Sequence, residues 1–138
     1  MNKILKKTQF SEKVFCLEVE APLIAHSCRP GHFIIVRVDK DSERVPYTKS
    51  DPEKGTLTLV VQEVGLSSTK LCQLNVGDEV QDIVGPLGNA SKIEKYGTVV
   101  CAGGGIGIAA ILPILTALKQ VGNRVISVLA GRTKNLVI

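Results

Sequence analysis

A change of hydrophobic rhythm near Tyr96 constrains this chain more than any other feature. Before it, short apolar runs are separated by Gly, Pro and Asp clusters. After it comes a continuous apolar run, a glycine loop, a helix-spaced stretch and another apolar run. Alternation with period two marks a pleated strand, and a period near 3.6 marks a helix. In 56–63, Leu57, Leu59 and Val61 fall on one side and Thr56, Thr58 and Val60 on the other, as in a strand with one buried face. Asp51-Pro52-Glu53-Lys54-Gly55 before it is turn chemistry, so 44–49 and 56–63 are expected to form a hairpin. Further strands are expected over 14–20, 33–38 and 79–84, the last followed by a Gly85-Pro86-Leu87-Gly88 turn. Short strands with regular turn signals predict a small antiparallel barrel or sandwich.

The second region starts with a strand over 98–102 and the loop Gly103-Gly104-Gly105-Ile106-Gly107. Ile108, Ile111, Leu112, Leu115 and Leu118 then share one helical face over 108–121. Pro113 lies inside that helix and is expected to bend it or shift its start. Gly122-Asn123 stops it, and 124–131 is a second strand. Strand, loop, helix and strand make one βαβ unit of a parallel sheet. The expected division is a barrel over 1–92 and an incomplete α/β unit over 93–138. Two parallel strands and one helix cannot cover both sheet faces, so the unit is expected to be a stub of a longer protein or to receive strands from elsewhere.

The 138 residues argue for about one domain's worth of core. With 44% hydrophobic residues the chain is not disordered. No apolar run reaches the ~18 residues of a membrane span, and 1–10 carries no stretch of signal-peptide length, so a cytoplasmic protein is expected. The net charge of +4 is mild, the lysines are scattered and Trp is absent, which argues against nucleic-acid binding. Cys16, Cys28, Cys72 and Cys101 lack metal-ligand spacing and are expected to be buried, unpaired thiols. His26 and His32 are expected at the surface or in turns.

Three segments could carry chemistry. Gly103, Gly104, Gly105 and Gly107 let backbone approach a phosphate at a helix N-terminus, although the spacing is not G-x-G-x-x-G and the P-loop lysine is absent. The plain alternative is a tight strand–helix turn. In Arg44-Val45-Pro46-Tyr47-Thr48, an arginine that can grip a phosphate precedes a hydroxyl. The plain alternative is a strand with a charged end. In Gly65-Leu66-Ser67-Ser68-Thr69-Lys70-Leu71, hydroxyls precede a short helix, where they cap it and can also serve an anion.

In this order, and with Gly77-Asp78 and Gly85-Pro86-Leu87-Gly88 between them, these segments resemble the ferredoxin–NADP reductase superfamily. Within it the chain is similar to the electron-transfer subunits of dihydroorotate dehydrogenase and of the NADH-dependent ferredoxin–NADP oxidoreductases. The resemblance implies an all-β, six-stranded antiparallel FAD-binding barrel followed by a truncated Rossmann-like nucleotide-binding domain. It implies that Arg44 pairs with the FAD diphosphate, Tyr47 lies along the flavin or its ribityl chain, and Thr48 places its hydroxyl near flavin N5. Val60, Val61 and Gln62 would line the flavin. Ser67 and Ser68 would bind the diphosphate through backbone N–H and hydroxyl groups. Gly103, Gly104, Gly105 and Gly107 would face NAD(P)H. Thr48 stands four residues after Arg44 where the superfamily has three, and a bulge at Val45-Pro46 would absorb the extra residue.

The implied activity is electron transfer between NAD(P)H, FAD and an iron–sulfur cluster or ferredoxin, beside a larger catalytic subunit. Pyrimidine biosynthesis is one setting. In relatives a four-cysteine [2Fe–2S] segment follows, and the cysteines here do not have its spacing. Two rivals remain: a flavin-free docking module able to dimerise through its open sheet, and a reductase subunit of a hydrogenase or sulfite reductase complex.

Overall fold

The computed structural model describes residues 2–134. In chain order the strands are β1 (Ile4–Ser11), β2 (Val14–Glu20), β3 (Phe33–Arg37), β4 (Ser42–Asp51), β5 (Thr56–Gln62), β6 (Asp82–Leu87), β7 (Thr98–Gly104) and β8 (Arg124–Ala130). The helices are α1 (Pro22–Ser27), α2 (Leu66–Gln73) and α3 (Gly107–Gln120). The first six strands form one antiparallel sheet in the order β1-β2-β5-β4-β3-β6. Its ends meet where the segment before β6 returns to the chain start. Ile4 N–H donates to Asp78 O (2.8 Å), Gly77 N–H to Ile4 O (2.8 Å) and Val80 N–H to Asn2 O (3.1 Å). The expected six-stranded antiparallel barrel is therefore present, and β7 and β8 add the expected parallel pair.

Alternation fills the barrel. Leu57, Leu59 and Val61 of β5 meet Leu17, Val19, Ile34, Val36, Val45 and Tyr47 inside. Each fully buried aliphatic side chain contributes about 1.5–3 kcal/mol. The other face of β5 is also covered, because Val60 packs with Val14 and with Ala109 of α3. Helix α3 therefore serves two sheets, lying on β7 and β8 and pressing on the barrel wall at β4.

Several sequence expectations shift. The bulge of β4 is at Thr48, between the pairs Tyr47↔Leu59 and Lys49↔Thr58, while Val45 and Pro46 keep regular register with Ile34 and Phe33. Strand β6 begins at Asp82 and carries Gly85, Pro86 and Leu87 within it, with Leu87 paired to Phe33. Those residues read as a turn from composition alone, and an edge position tolerates the proline. Gly103 and Gly104 end β7 and are not loop. Pro113 is accommodated inside α3, which starts at Gly107. Strand β1 and helix α1 were not expected. Residues 135–138 of the expected second unit lie outside the described residues.

Asn123 ties the second unit together internally. Its Oδ1 accepts from the N–H groups of Tyr96 (2.6 Å) and Gly97 (2.9 Å), and its Nδ2 donates to Glu94 O (2.7 Å) and Leu118 O (2.9 Å). The side chain is buried, and all four bonds hold the segment entering β7 against the end of α3.

Candidate functional site

A cleft of about 220 Å³ opens between the barrel wall and the start of α3, bordered by Glu43, Arg44, Pro46, Gln62, Ile106 and Gly107. Val60 and Val61 border it too. Val61 also packs in the barrel core. Arg44 is exposed on the outer face of β4. Its guanidinium lies over the Phe33 ring, 5.0 Å from the ring centroid.

The start of α2 reaches the same region. Gly65 precedes the helix in an extended conformation (φ −154°), which any residue adopts. Ser68 Oγ accepts from the N–H groups of Gly65 (2.9 Å) and Val64 (3.0 Å) and faces Gly65 O at 3.2 Å. Ser68 is 1% exposed, so its hydroxyl is committed to folding its own turn. Ser67 differs: its hydroxyl donates to the Glu43 carboxylate, which joins the helix start to the residue beside Arg44. The two segments singled out in the sequence thus converge. Glu43 was overlooked in the sequence, because an acid beside the arginine gives no signal there.

A second cleft, about 380 Å³, lies between Val14 and Gln62 of the barrel and the turn after β7. Gly104, Gly105, Gly131 and Arg132 border it. Gly105 has φ +56°, and its N–H donates to Ala130 O (2.8 Å), which turns the chain back toward α3. Gly103 has a packing reason to be glycine: a Cβ there would come within 2.8 Å of Ile111 Cδ1 and 3.2 Å of Ile108 Cα. Gly104, Gly105 and Gly107 border the clefts, whereas Gly103 lies under the helix.

Tyr47 and Thr48 do not share the Arg44 cleft. Tyr47 is 4% exposed within the barrel core, and burial pushes its phenol up to about 12. Thr48 sits at the bulge under α3, beside an apolar cavity of about 330 Å³ lined by Cys16, Val60, Ile108, Ala109 and Leu112 among others. Its Oγ1 is buried and has no hydrogen-bond partner. A buried hydroxyl without a partner is costly, so this atom needs an explanation.

Cys16, Cys28 and Cys72 are not activated as nucleophiles. Burial raises Cys28 and Cys72 to about 11 and also raises Cys16, keeping them protonated near neutral pH. Only Cys72 is buried; Cys16, Cys28 and Cys101 are half-buried, short of the full burial expected, and all four are unpaired. His26 is exposed on α1, and His32 Nδ1 accepts from the Arg29 N–H at 3.0 Å in a turn. Among the described residues, no helix is long and apolar enough to cross a membrane.

Comparison with known proteins agrees with this fold. The chain is 43% identical over its full length to the dihydroorotate dehydrogenase B (NAD(+)) electron transfer subunit homolog of Thermotoga maritima, covering 50% of that protein. It is 34% identical to the corresponding electron transfer subunit of Shouchella clausii, with 91% of this chain and 51% of that one aligned. The chain thus spans about half the length of the curated relatives it matches. Among solved structures, the NADH-dependent reduced ferredoxin–NADP oxidoreductase superposes with a TM-score of 0.96 at 39% identity, covering 100% of this chain and 51% of that one. Phthalate dioxygenase reductase shares the fold at a TM-score of 0.82 and 17% identity, over 99% of this chain and 44% of that one. The family model described as "Oxidoreductase FAD-binding domain" matches residues 2–91, and the chain belongs to that family.

Proposed function

We propose that this chain is the flavin-holding part, with the first unit of the nucleotide-binding part, of an electron-transfer flavoprotein subunit. Its reaction passes electrons between NAD(P)H, FAD and an iron–sulfur acceptor, which sits in a further segment, a larger catalytic subunit or a ferredoxin. One observation carries this reading: the Glu43–Arg44 end of β4 and the start of α2 are joined by the Ser67–Glu43 hydrogen bond beside one cleft.

The residues suit FAD. Arg44 stands exposed beside the cleft with a guanidinium fork able to take a diphosphate bidentately. The first N–H groups of α2 lack partners within the helix and add their dipole to the same charge. Ser68 contributes indirectly, by setting the turn that aims those N–H groups. Val60 and Gln62 give the flavin an apolar wall with one polar edge, and Val61, whose side chain packs in the barrel core, borders it from the strand between them. Thr48 lies outside that cleft, but Val60 borders both the cleft and the cavity beside Thr48, and the orphaned hydroxyl is explained if the flavin reaches across Val60 so that a ring nitrogen such as N5 is its partner. When bound, the flavin supplies the hydride and single-electron chemistry, and the protein's part is to bind, orient and exclude water. Gly104, Gly105 and Gly107 leave the backbone open for the nicotinamide nucleotide on the other side.

The purified chain is expected to take up about one FAD with flavin absorbance in the visible. Thr48→Val separates the roles of the hydroxyl. The variant removes a buried, unpartnered group, so flavin-free protein should be as stable or more stable, by about 1 kcal/mol. Its bound flavin should be reduced by NAD(P)H more slowly. A chain that takes up no FAD sinks the proposal.

A further inference from the structure

We propose that Phe33 is a positioning residue for the flavin diphosphate, acting through Arg44. This rests on the flavin reading above and adds a residue that neither the sequence motifs nor that reading used. Arg44 is exposed on the outer face of β4, where a long side chain ordinarily samples many rotamers. Here its guanidinium lies over the Phe33 ring, 5.0 Å from the centroid. The strands make this possible. Phe33 pairs directly with Pro46, so Arg44 is its diagonal neighbour, within reach of an aromatic and a long side chain.

Phe33 is itself fixed from the other side. A Cβ placed on Gly88 would approach its ring to 2.9 Å at Cε1 and 3.1 Å at Cδ1, so ring and backbone are in close contact. Gly88 also has φ +78°, a conformation that glycine adopts without strain. The end of β6 and Gly88 thereby acquire a role beyond pairing with β3. They back the ring that carries the arginine. Stacking uses the flat face of the guanidinium and leaves its in-plane N–H fork free, and no ion pair or hydrogen bond takes up that fork among the described residues. A cation held in orientation with its donors open is suited to an anion with two oxygens to offer. Holding Arg44 before binding reduces the ordering entropy lost when the diphosphate arrives.

The test is a double-mutant cycle on the purified chain, read as FAD dissociation constants by flavin fluorescence, with thermal midpoints of the flavin-free proteins measured alongside. Phe33→Leu should weaken FAD roughly three- to five-fold, the scale of an exposed cation–π contact. Phe33→Tyr should restore affinity. In an Arg44→Ala background, Phe33→Leu should weaken FAD no further. Gly88→Ala, which displaces the ring without removing it, should imitate Phe33→Leu. An effect of Phe33→Leu that persists without Arg44, or no effect with both variants folded, overturns the inference while leaving the flavin reading intact. A wild-type chain that binds no FAD overturns both.

Discussion

Asn123 shows how much one side chain can hold. It accepts two backbone N–H groups and donates to two carbonyls across 26 to 29 residues of chain on one side and five on the other. Asn123→Ala is expected to destabilise the protein by about 2–4 kcal/mol, because buried backbone groups lose partners that water cannot replace there. Urea unfolding checks this, and a change below half a kcal/mol would contradict it. In the sequence, Gly122-Asn123 reads correctly as a helix stop. Its reach to Tyr96 was hidden, because the partners are backbone atoms and carry no side-chain signature. Arg44 and Thr48 were legible as a motif for the opposite reason: their chemistry is in the side chains. Titration also belongs to this scale. Burial raises Cys28 and Cys72 from 9.0 to about 11, and Tyr47 from 10.0 to about 12. The folded state holds these protons more tightly than the unfolded chain does. Their stabilisation is complete below the unfolded values and is lost as pH rises through the folded ones. The urea midpoint should therefore fall between pH 9 and 12, with no change from these groups between 6 and 8.

At the scale of elements, the strands that alternate cleanly were the ones read correctly. Strand β5 places Leu57, Leu59 and Val61 inside, as its period demands. Strand β1 escaped notice because only Ile4 is buried in Ile4–Ser11, and its lysines resemble a solvated segment. One of those lysines has a specific task. Lys7 Nζ donates to Cys72 O (2.6 Å) and Leu74 O (2.8 Å) at the end of α2, and lies 4.9 Å from the Phe15 ring centroid. A cation there satisfies carbonyls that the helix leaves open and opposes its dipole. Lys7→Met should cost about 1–2 kcal/mol and raise amide exchange first in 66–73. Uniform exchange across the barrel would argue against the cap. Lys70, in the last turn of α2, meets Asp39 (2.9 Å) and Asp41 (2.5 Å), tying the β3–β4 loop to the helix. The β4 bulge was expected from the spacing but fell at Thr48 rather than at Val45-Pro46. Register irregularities depend on the partner strand, which spacing along one strand does not reveal.

For the whole molecule, the decisive contact is α3 against the barrel. Val14, Val60 and Ala109 meet there, with Cys16 and Ile106 alongside, and the clefts lie around that contact. A small residue at 109 lets the helix come close. Ala109→Leu should overpack the seam by about 1–3 kcal/mol and open it. FAD affinity should fall while the barrel's own unfolding transition is kept, as seen by paired flavin titration and denaturant unfolding. An unchanged affinity would mean that the seam does not shape the cleft. The rhythm of the sequence predicted both architectures. It did not predict their contact, because a shared helical face does not say which sheet it covers, and Val60 fell on the side of its strand opposite Leu57, Leu59 and Val61.

The barrel's seam also sets an order of events. Residues 2–4 bond to 77–80, so β1 has one flank with no neighbour until the chain has been made as far as that later segment. Until then that flank is an open template for stray strands, and the lysines along it supply the repulsion that keeps them off. The positive charges that obscured β1 in the sequence would then protect the nascent protein while its last stave is still on the ribosome.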